Sequence, residues 1–435
     1  MKRLCSGLMA LVLIVSLAAG CAKKEPPSGI FYDVTGIDPR NTAYTVGDVT
    51  FPAEAYLYWA AYACSSMEYN LNMYRAYYGL YEEMFDEDGN LLWDKELEGT
   101  PLIEQAEQQA EGNVRFYAAI ESKAKELGVA LDEEDRAQLA ESFADTMEQM
   151  GGEEEFQENL KLMGISRETF DRITEDGMLF QKLLDLVMEE DSALYVAPET
   201  YEESASYADH ILLGTTNQET GEALSDEEIA RKRATAEDLL GQLQSAGDGV
   251  EALFDQLAEE YSEDPGRAAA KGYMVTADSS FVPEFLDTAL ALEPGQVSDI
   301  VESTYGYHIL YRRHMADVLR EQPEQASALA EEHLYDQLAQ LADGFDLKAS
   351  EEISALDLKA FYTSYNAKVE EISAAKAAEN DTGDGADTGT DTGADTGSGA
   401  AADGNSAAAD GNSAAADGNS APADGNSAPA DGAGE

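Results

Sequence analysis

The chain has 435 residues, of which 87 are Asp or Glu and 27 are Lys or Arg, for a formal net charge of −60 at pH 7. Gripping nucleic-acid phosphates needs clustered cations, so this balance excludes nucleic acid as the default partner. With 44% apolar and 9% aromatic residues, the length suffices for about three domains with cores of their own.

Lys2 and Arg3 precede an apolar run from Leu8 to Ala19, followed by Gly20-Cys21. The run is shorter than the roughly 20 residues that span a bilayer, so residues 1–20 are predicted to be a signal peptide. Leu17-Ala18-Ala19-Gly20-Cys21 resembles a bacterial lipobox, which implies that Cys21 is lipidated and begins the mature chain. No later run could cross a membrane, so an acyl anchor at Cys21 is expected to hold the protein at the outer face of the cytoplasmic membrane, in a Gram-positive bacterium. Cys5 leaves with the signal peptide, and Cys64 then stands alone, which excludes an intramolecular disulfide. Cys64 lies in an apolar helical pattern and is read as a small packed hydrophobe, not a nucleophile.

Residues 21–45, with Pro26-Pro27 and Gly29, read as a tether, and residues 46–198 as a helical domain. A helical pattern starts at Phe51 with Ala55, Tyr58, Tyr62, Tyr69, Met73, Tyr77 and Met84 near one face. Such an aromatic stripe is read first as core, and second as a groove that holds unfolded chains. Asp86, Asp88 and Asn90 have the spacing of a Ca²⁺ loop, but Leu91 and Leu97 stand where that loop needs Gly and Glu, so a turn is expected. Thr100-Pro101 is predicted to start a helix that Gly128 ends. Asp132 caps a second helix running to Gly151-Gly152, a third ends at Gly164, and Ser166 caps a fourth. That fourth helix places Phe170, Ile173, Gly177, Phe180, Leu184 and Val187 on one stripe. Residues 45–195 hold no His and one Cys, so metal and nucleophile constellations are lacking there.

Pro198 marks a boundary. A strand over Ser204–Leu213, a capping box at Ser225-Asp226-Glu227-Glu228 opening a helix, and a second helix over Val250–Tyr261 follow. After a turn at Asp264-Pro265-Gly266 come a short strand near Tyr273, a helix after Pro283, a turn at Pro294-Gly295, and strands at Val297–Glu302 and Tyr307–Arg312. The pattern is that of a small α+β domain with an antiparallel sheet.

Five stretches in this region carry a family resemblance: Asp209-His210-Ile211-Leu212-Leu213, Tyr261-Ser262-Glu263-Asp264-Pro265-Gly266, Phe281-Val282-Pro283-Glu284-Phe285, Leu292-Glu293-Pro294-Gly295-Gln296-Val297-Ser298 and Tyr305-Gly306-Tyr307-His308-Ile309-Leu310. In this order and spacing they resemble the parvulin-type peptidyl-prolyl isomerases. With the lipobox and flanking helices, the chain is similar to PrsA/SurA-type extracytoplasmic foldases. The resemblance implies a parvulin domain at 199–316 inserted between the two segments of an all-α chaperone-like module. It also implies that the chain acts on unfolded exported polypeptides with X–Pro bonds, without metal or cofactor. By it, His210, Asp264, Ser303 and His308 are the polar catalytic positions, and Phe281 and Phe285 are apolar walls. The family's Gly-Asp-Leu-Gly stretch is replaced by Lys271-Gly272-Tyr273-Met274, so Tyr273 and Met274 are both candidates to line the pocket. Rotation about an X–Pro bond breaks no covalent bond, which suits an apolar slot with hydrogen-bonding groups and no nucleophile. The acidic loop from Gly214 to Glu228 has no Lys or Arg, which argues against phosphorylated clients. His314 and His333 fall outside the motif.

Residues 317–373, with Pro323 starting a helix that turns Leu334, Leu338 and Leu341 inward, are expected to dock on the N-terminal helices. Residues 374–435 carry a net charge of −11, with Asp403, Asp410, Asp417, Asp424 and Asp431 recurring in an Ala-Asp-Gly-Asn-Ser unit. Lacking apolar side chains larger than Ala and Pro, they read as a disordered tail. Two other functions fit the same sequence: a chaperone whose parvulin domain is catalytically silent, and a surface adhesin or wall-interaction lipoprotein that works through the tail.

Overall fold

The computed structural model describes residues 26–217, 222–268 and 271–383. The expected signal peptide, Cys21 and the tail beyond Gly383 lie outside the described residues. Among the described residues no helix is long and apolar enough to cross a membrane. They divide into two compact units, the first holding residues 26–122, 132–176 and 342–383, the second 123–131 and 177–341.

The first unit begins with α1 (Ile30–Thr35), β1 (Thr42–Val46), β2 (Val49–Pro52) and α2 (Ala53–Tyr78). Ile30, Phe31, Ile37, Ala43 and Tyr44 are buried, so residues 30–45 belong to the core and are not a tether. Their apolar side chains outweigh the Pro-Gly signal that precedes them. In α2 the buried positions stop at Leu71, and Tyr69, Tyr77 and Tyr78 are exposed while Tyr56 is buried. At 1.5 Å per residue the helix simply outruns the core, so the tyrosine stripe is core in its first half only. Asp86 Oδ1 accepts the N–H groups of Asp88 and Asn90, forming the expected turn.

Thr100 and Pro101 do not start a helix. They form β4 (Thr100–Pro101), paired with β3 (Glu96–Leu97) across Glu98 and Gly99, both at positive φ, and α3 (Leu102–Leu127) begins one residue later. Asp132 and Asp135 form a capping box on α4 (Glu133–Gln149), α5 (Glu153–Met163) ends at left-handed Gly164, and α6 (Arg167–Met188) follows. Ser166 Oγ accepts the Thr169 N–H as the cap, and the hydroxyls of Ser166 and Thr169 donate to buried Glu54. A buried carboxylate without such donors would be strongly destabilising.

The second unit is built on β5 (Ser206–Gly214), α7 (Asp226–Gln244), α8 (Val250–Tyr261), β6 (Gly272–Val275), α9 (Pro283–Ala291), β7 (Val301–Ser303) and β8 (Gly306–Arg313), followed by α10 (Met315–Glu321) and α11 (Pro323–Asp343). The four strands make one antiparallel sheet in the order β6-β5-β8-β7. Val297 touches this sheet through a single bridge to Tyr311, so the strand expected from Val297 is shortened to Val301–Ser303. On one face Ile211, Leu213, Ile309 and Tyr311 pack against Ala236, Leu239, Phe254 and Leu257 of α7 and α8. On the other, Ala208, Val275 and Leu310 pack under Phe285 and Ala289 of α9. Burial on both faces explains why all nine residues of β5 are buried.

The helix at Pro323 departs from expectation. α11 up to Leu341 belongs to the second unit, and Leu329 packs with Tyr201, Tyr207, Met315 and Val318. Its link to α10 is the single residue Gln322. Chain after 342 returns to the first unit through β9 (Leu347–Ala349), α12 (Glu351–Ser354) and α13 (Leu358–Gly383). β9 pairs with β1 to complete the sheet β2-β1-β9, so this unit is not purely helical. α13 brings Phe361 and Tyr365 onto Phe31, with ring centroids 5.7 and 5.6 Å away. The helix passes residue 373, the expected boundary with the tail, and runs to Gly383.

Candidate active site on the sheet face under helix α9

Strand alternation builds the site. Along β5 the side chains of Ala208, His210 and Leu212 share a face, and along β8 so do His308, Leu310 and Arg312, because successive residues point to opposite sides. Register pairs His210 with Leu310 and Leu212 with His308, which puts the two imidazoles diagonally across neighbouring strands with centroids 5.5 Å apart. Pro283 at the first helical position aims α9 across this face. Phe285 then lies 5.1 Å from His210 and 5.8 Å from His308, edge-on to both. Phe281 sits 5.0 Å from Phe285 and 5.5 Å from Tyr273, and Tyr273 stacks on His210 at 5.7 Å. Phe285 is fully buried, whereas Tyr273 and Phe281 keep part of each ring accessible.

The polar groups converge on the same rings. Tyr273 Oη donates to Asp264 Oδ2 over 2.7 Å, and the Gly266 N–H donates to Asp264 Oδ1 over 3.1 Å. His210 Nε2 lies 3.7 Å from Asp264 Oδ2, too far for a hydrogen bond but within reach of its charge. Ser303 Oγ and His308 Nε2 share a 2.7 Å hydrogen bond, and Ser303 Oγ also accepts the Tyr305 N–H. Burial pushes both imidazoles down to about 4, against the upward pull of Asp264. Both are therefore neutral near pH 7 and act as hydrogen-bonding groups, not cations. Burial and the bond to Asp264 raise the Tyr273 hydroxyl well above the usual phenol range, so it stays a donor.

Seven of the eight expected side chains meet here: His210, Asp264, Ser303, His308, Phe281, Phe285 and Tyr273. Met274 does not. Tyr273 pairs with Ala208 and Met274 with Tyr207, so Met274 points to the opposite sheet face and packs beside Tyr207 and Met315. The period of two decides between the neighbours: Tyr273 faces the site and Met274 the opposite side of the sheet.

Two features escaped the sequence reading. A Cβ on Gly266 would lie 1.9 Å from the Tyr273 hydroxyl, so only glycine there lets Tyr273 reach Asp264. The tripeptide Asp264-Pro265-Gly266 carried that signal as a turn, without its partner. The second is a buried ion pair, Arg267 Nη1 to Asp209 Oδ1 at 2.5 Å, directly behind His210. Its members lie 58 positions apart in the chain, and no local pattern joins them.

Residues 210–314 match the family described as Rotamase, the PPIC-type PPIASE domain. Over 223 residues the chain is 24% identical to the foldase protein PrsA of Clostridium botulinum, covering 50% of this chain and 63% of that one. It is 35% identical over 150 residues to the foldase protein PrsA of Halalkalibacterium halodurans, covering 32% and 42%. To the chaperone SurA of Shewanella sp. (strain MR-7) it is 42% identical over 80 residues, 18% of each chain. The chain thus spans less than two thirds of the length of these curated relatives. The α+β domain around His210 and His308 is a PpiC, parvulin-type peptidyl-prolyl isomerase domain, set in a chain similar to PrsA foldases and SurA chaperones.

Proposed function

We propose that the protein is a peptidyl-prolyl cis–trans isomerase and foldase for exported polypeptides, anchored through a lipid on Cys21 at the outer face of the cytoplasmic membrane. The observation that carries the isomerase reading is the ring of Phe281, Phe285 and Tyr273 closed at its base by two neutral imidazoles and Asp264. An X–Pro amide resists rotation by about 18–20 kcal/mol because of resonance between nitrogen lone pair and carbonyl. Phe281 and Phe285 hold the prolyl ring and exclude water from the imide, which disfavours the charge-separated planar form. Ser303, Asp264 and the imidazoles offer hydrogen bonds that fit the twisted state better than the planar one. No proton need be exchanged with solvent, which fits histidines that are neutral near pH 7.

The test is the rate at which the full chain isomerises a proline tetrapeptide, beside Phe285→Ala and Asp264→Ala variants. The wild type is expected to accelerate the reaction and each variant to lose at least about tenfold, on the order of 1.4 kcal/mol of transition-state stabilisation. Three rates equal to the uncatalysed one would replace this reading by a silent, parvulin-like chaperone. One observation favours that second reading: both oxygens of Asp264 already accept hydrogen bonds from the protein, one of them from a tyrosine. In the foldase reading the module made by the first unit holds unfolded clients, and the expected gain is a lower aggregation yield of a refolding, proline-containing protein when the full chain is added. The lipid anchor predicts a mass increase on Cys21 of the mature chain, lost in Cys21→Ala.

A further inference from the structure

Asp264 sits on a short crossing between α8 and β6 that must be held from both sides if its carboxylate is to stay beside His210. Upstream, β5 itself does the holding. β6 pairs only with Ser206–Asp209, and beyond that point the crossing takes over the free edge of β5. The Glu263 N–H donates to the Leu212 carbonyl over 2.8 Å, and Ser262 Oγ accepts the Leu212 N–H over 3.1 Å while donating to the His210 carbonyl over 3.3 Å. Downstream, the hold is ionic. Arg267 Nη1 reaches Asp209 Oδ1 over 2.5 Å and the Lys271 carbonyl over 2.9 Å, and Asp209 is wholly buried. Arg313 faces the other oxygen of Asp209 at 3.9 Å and is itself tied to Asp255 of α8.

We propose that the Asp209–Arg267 ion pair is the positioning element for Asp264 in the isomerase site, a role that rests on the isomerase reading for its kinetic consequence. Asp209 and His210 are adjacent on β5 and point to opposite faces, so one strand registers both the imidazole and, through Arg267, the carboxylate opposite it. Only Pro265 and Gly266 lie between Asp264 and Arg267, a span that leaves the carboxylate little freedom once both ends are tied. Neither Asp209 nor Arg267 touches the rings that would hold proline, which makes them positioning residues, not catalytic ones. Releasing Arg267 lets the turn swing away from β5, and the imide then loses its polar partner while the apolar slot keeps its shape.

The prediction therefore separates rate from affinity. In the full chain, Arg267→Gln is expected to lower the cis–trans exchange rate at saturating Ala-Pro peptide by about tenfold, measured by NMR exchange spectroscopy, while peptide affinity changes less than about twofold. Arg267→Lys keeps the charge and restores at least half of the lost rate. A folded Arg267→Gln with unchanged rate, or with rate and affinity falling in parallel, overturns the proposal. Amide hydrogen exchange supplies a readout that does not need catalysis. Residues 262–268 lose protection in Arg267→Gln while β5 and β8 keep theirs, and equal protection in variant and wild type overturns the proposal. Should the glutamine variant fail to fold, Asp209→Asn, which retains an acceptor for Arg267, is read in the same two assays: a several-fold lower rate together with partial loss of protection supports the ion pair's role, and wild-type values in both overturn it. If the wild type itself shows no exchange enhancement, the isomerase reading fails and the positioning claim is decided by protection alone.

Discussion

Two aromatic clusters in this protein use the same kinds of ring to opposite ends. In the first unit Trp59 stacks on Tyr117 at 5.0 Å and meets Phe51 edge-on at 5.5 Å, while Tyr44 and Tyr56 pair at 4.9 Å, and all five are buried. In the second unit Tyr273, Phe281 and Phe285 lie at similar spacings, but two of the three remain partly accessible and their inner edges meet imidazoles and a carboxylate. Ring content and ring spacing therefore do not separate a core from a pocket. What separates them is access: the first cluster is shut off from solvent on every ring, whereas the second leaves two rings partly open above buried imidazoles and a carboxylate.

Substitutions can break that comparison, beginning with the closed cluster. Trp59→Ala is expected to cost about 3–5 kcal/mol of stability in denaturant titration while leaving the isomerisation rate of the folded chain unchanged. In the open cluster Phe281→Ala should cost far less stability, since part of its ring is already in water, and should weaken proline-peptide binding by about tenfold in an NMR titration. Gly266→Ala and Tyr273→Phe remove the same hydroxyl contact by different routes. Both are expected to change the isomerisation rate a few-fold in the same direction, upward if the tyrosine blocks Asp264 and downward if it orients it. Opposite directions would show that the two residues do not act on one contact.

Buried titratable groups sharpen the contrast. Asp176 in the first unit is pushed up to about 8 by burial and by neighbouring Glu121, against the pull of Arg172. Its folded form holds a proton that its unfolded form has released, so its contribution to stability falls as pH rises from near 4 to about 8. Asp176→Asn should raise the melting temperature by about 2–4 °C at pH 9 relative to wild type, with little gain at pH 5. The histidine pair has the reverse sign: folded values of about 4 against ordinary values near 6.5 mean that protons favour the unfolded chain, and stability is lost as pH falls from about 6.5 towards 4. Between pH 6 and 8 the pair does not change state, so the isomerisation rate is expected to be flat there. A bell centred near 6.5 would mean that the imidazoles are charged in the working site.

Local chemistry made much of this legible from the sequence. The cap at Asp132, the capping box at Ser225 and the helix opened by Pro283 rest on residues within one turn of each other, and they fall where the pattern puts them. The site was legible because five short stretches carry most of its side chains. Met274 went wrong for a physical reason, since a one-residue ambiguity in register turns a strand side chain to the far face. Residues 30–45 misled because two prolines and a glycine announce a loop, whereas Phe31 is covered by Phe361 and Tyr365 of α13 and Tyr44 pairs with Ala349 of β9, each more than 300 positions away. Asp209 and Arg267 were invisible for the same reason: their pairing exists only after β5 and the turn after α8 have met.

The four histidines of the chain give a direct test of the pocket. When the full chain is titrated with a short Ala-Pro peptide and the histidine ring resonances are followed, those of His210 and His308 should move together and saturate, while those of His314 and His333 stay still. Saturable shifts confined to His314 or His333, or none at any ring, would contradict the claim that this sheet face grips proline.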